Sequence, residues 1–294
     1  MNCKDIHNVS QARCNEMTRT QIDPADLHKE METGAVRVID GSWALDGTDM
    51  WALYRQEHIP GAQFFDLDSL SDHRTPLPHM APSPTQFAAA AGQMGISEKT
   101  PVVIYDRQGL FSAARVWWTF RLMGHKNVRV LRGGLPAWKA AGFAVMDQVS
   151  TPVPTTYMPI HKLEKVININ DLHDKLKKRA SLVLDARPKA RFEGTAPEPR
   201  AGLRSGHIPG SRSLPFSDLI RDGALKPRDE LEAIFRSYGV PDAGAIITTC
   251  GSGVTAAIIS MALHETGHTD TRLYDGSWAE WGQETLDTPA VTGA

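Results

Sequence analysis

Ile246-Ile-Thr-Thr-Cys-Gly-Ser-Gly-Val-Thr-Ala256, continued by the apolar run Ala257 to His264, decides how this chain is read. It has the form of a short strand, a tight loop and a helix. Cys250 stands at the C-terminal end of the strand, where α/β folds place their chemistry. Gly251 and Gly253 allow positive φ, so the backbone can curl around the sulfur. Several loop N–H groups then point inward, with the N-terminus of the following helix behind them. Such a cradle favours an anion and lowers a cysteine pKa from about 8.5 towards neutrality. It stabilises a persulfide anion equally. A lone cysteine at a strand end is ordinarily a small buried hydrophobe; the flanking glycines argue for a nucleophile instead. Gly251-x-Gly253-x-x-Ala256 also has the form of a dinucleotide fingerprint. Only 38 residues follow it, however, too few for the long βαβαβ unit that such a fingerprint normally opens. A cysteine phosphatase requires an arginine six residues after the cysteine, and that position is Ala256.

Outward from this loop, the chain repeats itself. Val36-Arg-Val-Ile-Asp40, His58-Ile-Pro-Gly61, Val102-Val-Ile-Tyr-Asp106 and Gly133-Gly-Leu-Pro-Ala-Trp138 form one series. Leu182-Val-Leu-Asp185, His207-Ile-Pro-Gly210, Ile246-Ile-Thr-Thr-Cys250 and Gly276-Ser-Trp-Ala-Glu-Trp281 form the second, at offsets of 145, 149, 144 and 143 residues. Four landmarks in one order at near-constant offset mark a duplicated domain of about 120 residues. Each copy reads as α/β, with short β-branched runs like those of buried parallel strands. Helical stretches such as Pro84 to Met94 and Pro227 to Tyr238 lie between them. Gly95 and Gly239 sit just past these helices as C-caps. The expected division is a flexible tail over residues 1–20, a non-catalytic domain over 21–147, a linker over 148–165 and a catalytic domain over 166–294. The proline-rich segment Gln148 to Lys165 supplies that linker. The first copy holds Asp106 where the second holds Cys250, so one half keeps the nucleophile. His58, His207, Asp40, Asp185, Trp138 and Trp281 recur in both halves and are therefore read as structural.

Composition narrows the function classes. The 32 basic and 34 acidic residues leave a net charge of −2, which gives no nucleic-acid footprint. No run approaches the 18 or so apolar residues of a membrane helix. Met1 to Thr20 has no apolar core of a secretory signal. The three cysteines exclude a disulfide framework, and Cys3 and Cys14 have no matching pair for a zinc site. A reducing, cytoplasmic setting is expected, with no metal and no organic cofactor.

Tandem copies, His-Ile-Pro-Gly turns, Gly-x-x-x-x-Trp endings and one cysteine loop in the second copy resemble the rhodanese superfamily, over about Ile22 to Gly282. The fold implied is two tandem rhodanese-like domains, each a mainly parallel sheet flanked by helices. Cys250-Gly-Ser-Gly-Val-Thr-Ala256 is similar to the loop of its 3-mercaptopyruvate sulfurtransferase branch. The thiosulfate branch carries Arg and Lys at the positions of Gly251 and Ser252. In Arg191-Phe-Glu-Gly-Thr-Ala-Pro-Glu-Pro-Arg200, both arginines match the pair with which the mercaptopyruvate branch holds the substrate carboxylate and keto group. A 2-oxo acid suits a guanidinium fork.

The resemblance further implies a relay of Ser252, His79 and Asp68, the last two from Leu77-Pro-His79-Met80 and Asp66-Leu-Asp68. It implies Phe111 as a pocket wall, and Gly251, Gly253, Val254 and Thr255 as the cradle. The expected reaction is transfer of sulfur from 3-mercaptopyruvate through a Cys250 persulfide, with release of pyruvate. The implied acceptor is a thioredoxin-like dithiol, a small thiol or cyanide. The rival readings are a thiosulfate sulfurtransferase and a non-catalytic sulfur-sensing module.

Overall fold

The computed structural model describes residues 19–178, 181–242 and 244–293. The first eighteen residues, which hold Cys3, Cys14 and most of the expected tail, therefore lie outside the described residues. The two halves build two five-stranded parallel sheets. The first contains β1 (Gln21–Ile22), β2 (Arg37–Asp40), β3 (Gln63–Phe64), β4 (Val102–Tyr105) and β5 (Val128–Leu131), in the order β1-β5-β4-β2-β3. The second contains β6 (Val166–Ile167), β7 (Leu182–Asp185), β8 (Arg212–Ser213), β11 (Ile246–Thr249) and β12 (Thr271–Tyr274), in the order β6-β12-β11-β7-β8. A small antiparallel hairpin, β9 (Ile220–Arg221) with β10 (Ala224–Leu225), belongs to the second half. The strand orders superimpose position by position, so β4 and β11 are equivalent central strands. Both are buried along their whole length, as continuous apolar or β-branched runs in parallel sheets require.

Helices take their places from their patterning. Ile169–Lys177 and Arg228–Ser237 each bury one stripe and expose the rest. Ala113–Leu122 and Ala256–Glu265, which follow β4 and β11, are buried nearly all round. A helix apolar on every side must be covered on every side. These two pack on each other, so the core runs through both domains. The repeated landmarks hold turns. His58 Nδ1 lies 2.7 Å from Tyr54 O and His207 Nδ1 lies 2.9 Å from Phe192 O, each ring stacked on that aromatic residue. Trp138 and Trp281 are buried and donate to Ala144 O and Pro289 O.

The interdomain seam is fastened from several sides. Thr20 N–H donates to Glu265 Oε2 at 2.7 Å, and Leu225 N–H donates to Gln21 Oε1 at 3.1 Å. The segment after the first domain packs back on it, with Thr155 N–H on Gly92 O and Ile160 N–H on Met123 O. The turn between β9 and β10 meets Gly109 and Gly133 backbone to backbone. A Cβ on Gly109 would lie 2.7 Å from Gly223 Cα, and its φ is +102°. Gly109→Ala should therefore destabilise the fold by about 1–3 kcal/mol. Thermal denaturation checks this, and a parent-like Tm would refute close packing at that turn.

Candidate active site

Cys250 follows β11 directly and is buried. Its loop is stapled to the segment after β12. Trp278 N–H donates to Cys250 O at 3.0 Å, and Ala279 N–H donates to Gly251 O at 2.8 Å. The Cys250 N–H donates to Ser277 Oγ at 3.3 Å, and Ser277 Oγ in turn donates to Tyr274 O at 2.8 Å. Gly253 takes φ +80°, and Ser252 and Val254 are buried beside it. Thr255 is the N-cap of the helix from Ala256.

The first domain shows what such a loop holds. Asp106 stands in the place of Cys250 and is fully buried. Its carboxylate accepts from Gln108 N–H at 2.9 Å, Phe111 N–H at 2.7 Å and Ala113 N–H at 2.9 Å. Burial pushes its pKa up, and the amide hydrogen bonds work against that push. The first-domain loop thus forms a cradle of N–H groups around a carboxylate at the position that Cys250 takes in the second domain.

His79 and Asp68 come to this loop from the first domain. His79 Nδ1 lies 2.9 Å from Ser252 Oγ, across the domain seam. Its Nε2 lies 3.1 Å from Asp68 Oδ1. Trp43 Nε1–H donates to the other Asp68 oxygen at 3.1 Å, and the Trp43 ring meets His79 edge-on. The hydrogen bond from His79 is the main force drawing the Asp68 carboxyl below its usual range, against partial burial. Phe111 lies between Trp43 and Phe216 in an aromatic wall at the seam.

Arg191 reaches the cysteine loop, and Arg200 lies near it. Arg191 Nη2 would lie 3.0 Å from a Cβ on Gly251. Burial depresses the Arg200 pKa, while the nearby Cys250 charge works in the opposite direction. Their bonding differs. Arg191 is held by Glu198, through Nε at 3.2 Å and Nη2 at 2.5 Å. Glu198 is itself buried and also receives Arg187 Nη1 at 2.9 Å. Arg200 has no hydrogen bond or ion pair to protein among the described residues, and it borders a groove with Leu77, Pro78 and Leu203. The two arginines are thus not an equivalent pair, as the sequence alone suggests. One is pinned and one is available.

Glu198, Trp43, Ser277, Arg115 and Asp275 escaped the sequence reading. Glu198 offered a signal, an acidic residue between two arginines. Arg115 offered another, a charge within the apolar stretch Ala113-Ala-Arg-Val-Trp-Trp118. Arg115 Nη1 lies 2.7 Å from Asp275 Oδ1, a buried ion pair across the seam.

Among the described residues, no group of three or more His, Cys, Asp or Glu side chains is arranged to hold a metal ion, and no helix is long and apolar enough to cross a membrane.

Comparison with known proteins identifies the family. The chain is 40% identical over 282 residues to thiosulfate/3-mercaptopyruvate sulfurtransferase 1, mitochondrial, of Arabidopsis thaliana, covering 88% of this chain and 74% of that protein. It is 39% identical over 271 residues to 3-mercaptopyruvate sulfurtransferase of Escherichia coli strain K12, covering 90% and 96%. The crystal structure of SseA from Escherichia coli, a 3-mercaptopyruvate sulfotransferase of "rhodanese" fold, matches with TM-score 0.81 and 36% identity, over 89% of this chain and all of that one. The rhodanese-like domain family matches residues 23–141 and again 168–284. With both halves matched and the cysteine loop in the second, the chain belongs to the rhodanese family.

Proposed function

We propose that the protein is a sulfurtransferase that takes sulfur from 3-mercaptopyruvate through a Cys250 persulfide and passes it to a thiol acceptor. The observation that carries this reading is the convergence of four features at one point. They are the Cys250 loop, the pinned Arg191, the unpaired Arg200 and the Ser252–His79–Asp68 chain. The names of the relatives agree with the donor.

In the donor stage, Arg200 and the remaining N–H groups of Arg191 hold the carboxylate and keto oxygen of the 2-oxo acid. Gly251 leaves room for the Arg191 guanidinium; a long side chain at that position would displace it. The Cys250 thiolate attacks the donor sulfur. The S–C bond breaks, and its electron pair leaves with the carbon fragment as pyruvate enolate. The donor thiol proton passes to the enolate through Ser252 and His79, with Asp68 orienting the imidazole. The loop N–H groups, from Gly251, Gly253, Val254 and Thr255, stabilise the persulfide anion; the counterparts of Gly253 and Thr255, Gly109 and Phe111, donate to Asp106 in the first domain. Phe111 walls the pocket. In the second stage a thiol, thioredoxin-like dithiol or cyanide removes the outer sulfur, so ping-pong kinetics follow. A thiol that cycles through a persulfide suits a reducing compartment such as the cytoplasm.

The deciding experiment supplies 3-mercaptopyruvate or thiosulfate, each with a reducing acceptor, and measures pyruvate and sulfide. Pyruvate formation with little thiosulfate turnover supports the reading. Preference for thiosulfate assigns the donor to the other branch of the family. Silence with both, with Cys250 shown reduced, leaves a non-catalytic module.

The relay makes a separate prediction. His79→Gln should lower donor turnover by about 10²-fold and leave the lifetime of the isolated persulfide unchanged. Rapid-quench pyruvate formation and persulfide decay measure the two. An unaltered rate would remove His79 from the proton path.

A further inference from the structure

We infer that Arg115 is a positioning residue through which the first domain sets the shape of the Cys250 loop, an inference that rests on the sulfur-transfer reading above. Arg115 lies on the buried helix Ala113–Leu122 and touches none of the reacting atoms. Its guanidinium meets three separate segments. Nη1 pairs with Asp275 Oδ1 at 2.7 Å and donates to Gly253 O at 3.4 Å. Nη2 donates to His79 O at 2.5 Å. The other Asp275 oxygen accepts from Ala81 N–H at 2.7 Å. One ion pair therefore ties the His79 to Ala81 segment of the first domain to the Cys250 loop. The same pair reaches the Asp275 to Ser277 segment, which accepts the Cys250 N–H.

Each of these contacts bears on a part of the site. A trans peptide points its carbonyl and the following N–H in opposite directions. Drawing Gly253 O towards Arg115 thus turns the Val254 N–H away from Arg115 and into the loop. Gly253 takes φ +80°, and a Cβ there would lie 3.0 Å from Arg115 Nη1 and 3.1 Å from Asp275 Oδ1, so the loop is fitted against the pair. His79 has φ +59°, rare for a residue with a side chain. Its carbonyl is the one Arg115 holds, which fixes the direction of its ring towards Ser252. The first copy supplies a contrast. Gly109 is the counterpart of Gly253, and it meets the backbone of Gly223 with no cation between them. Among the described residues, the loop that carries the cysteine is fastened by a charge from the other domain, and its counterpart is not.

Arg115→Lys in the full-length protein tests this, because lysine keeps the charge and loses the forked geometry. The donor-stage kcat should fall about tenfold or more with KM held within about twofold. The pH midpoint of Cys250 alkylation by iodoacetamide should rise by about half a unit or more. The charged groups around the sulfur, Arg191, Arg200, Glu198, His79 and Asp68, are the same in the variant, so such a rise reports the loop itself. A lowered Tm with parent-like kcat and midpoint would mean a merely structural role and overturn the inference. If Arg115→Lys fails to melt cooperatively, Asp275→Asn is read by the same two measurements, and parent-like values there also overturn it. Alkylation needs no donor. A parent protein inactive on 3-mercaptopyruvate would sink the sulfur-transfer reading, while the alkylation midpoint would still judge Arg115.

Discussion

Replacing Cys250 by serine should yield a protein that melts like its parent and forms no persulfide. Serine is close in size, and among the described residues Cys250 hydrogen-bonds through its backbone. The fold therefore loses little. The reaction loses its nucleophile, because a serine hydroxyl is a far weaker nucleophile than a thiol and cannot carry the outer sulfur. Pyruvate formation should fall by at least about 10³-fold. Mass spectrometry after incubation with donor should find the parent heavier by one sulfur and the variant unchanged. A persulfide elsewhere in the Cys250→Ser protein, with sustained turnover, would move the nucleophile to another residue.

Arg200→Ala and Arg191→Ala should separate function from stability. Arg200 carries no protein hydrogen bond among the described residues, so its removal strands no partner. Losing one charge-assisted contact of roughly 1.5–3 kcal/mol should lower kcat/KM for 3-mercaptopyruvate by about 10- to 100-fold or more, with Tm nearly unchanged. Thiosulfate turnover has no carboxylate to lose and should fall much less. Arg191→Ala differs because Glu198 is buried and would keep only Arg187. That variant should lose stability as well as activity, by about 1–3 kcal/mol for an under-satisfied buried carboxylate. Steady-state kinetics with both donors and paired melts read the difference. Equal losses on the two donors in Arg200→Ala would defeat the carboxylate-clamp argument.

The pH dependence of the Asp68 contact has a definite sign. Its carboxyl is drawn below the ordinary range chiefly by the His79 hydrogen bond. A depressed folded-state pKa gives a contribution that is present above the unfolded value and lost as pH falls through the folded one. The relay should therefore stay assembled through neutral pH and come apart only in acid, below the usual carboxylate range.

Much of the architecture was legible because it is local. Four short motifs repeated at a near-constant offset, and each strand, turn and cap is specified within a few residues. Gly95 and Gly239 end their helices with φ +71° and +64°, as their places after the apolar runs require. The cysteine at the end of a central strand follows from the same local pattern, since Ile246–Thr249 has no stable alternative to burial in a parallel sheet.

The sequence by itself determined the tandem α/β fold and the position of Cys250 in a glycine loop, because periodicity and turn chemistry act over short distances. Only the tertiary structure decided which residues meet that loop. His79 and Ser252 are 173 positions apart, and their contact depends on how the two domains dock. The docking is set by the buried face shared between Ala113–Leu122 and Ala256–Glu265 and by the Arg115–Asp275 pair. It likewise took the folded chain to separate Arg191, pinned by Glu198, from Arg200, whose guanidinium has no such partner, because two arginines in a sequence carry the same charge until packing gives one of them a carboxylate.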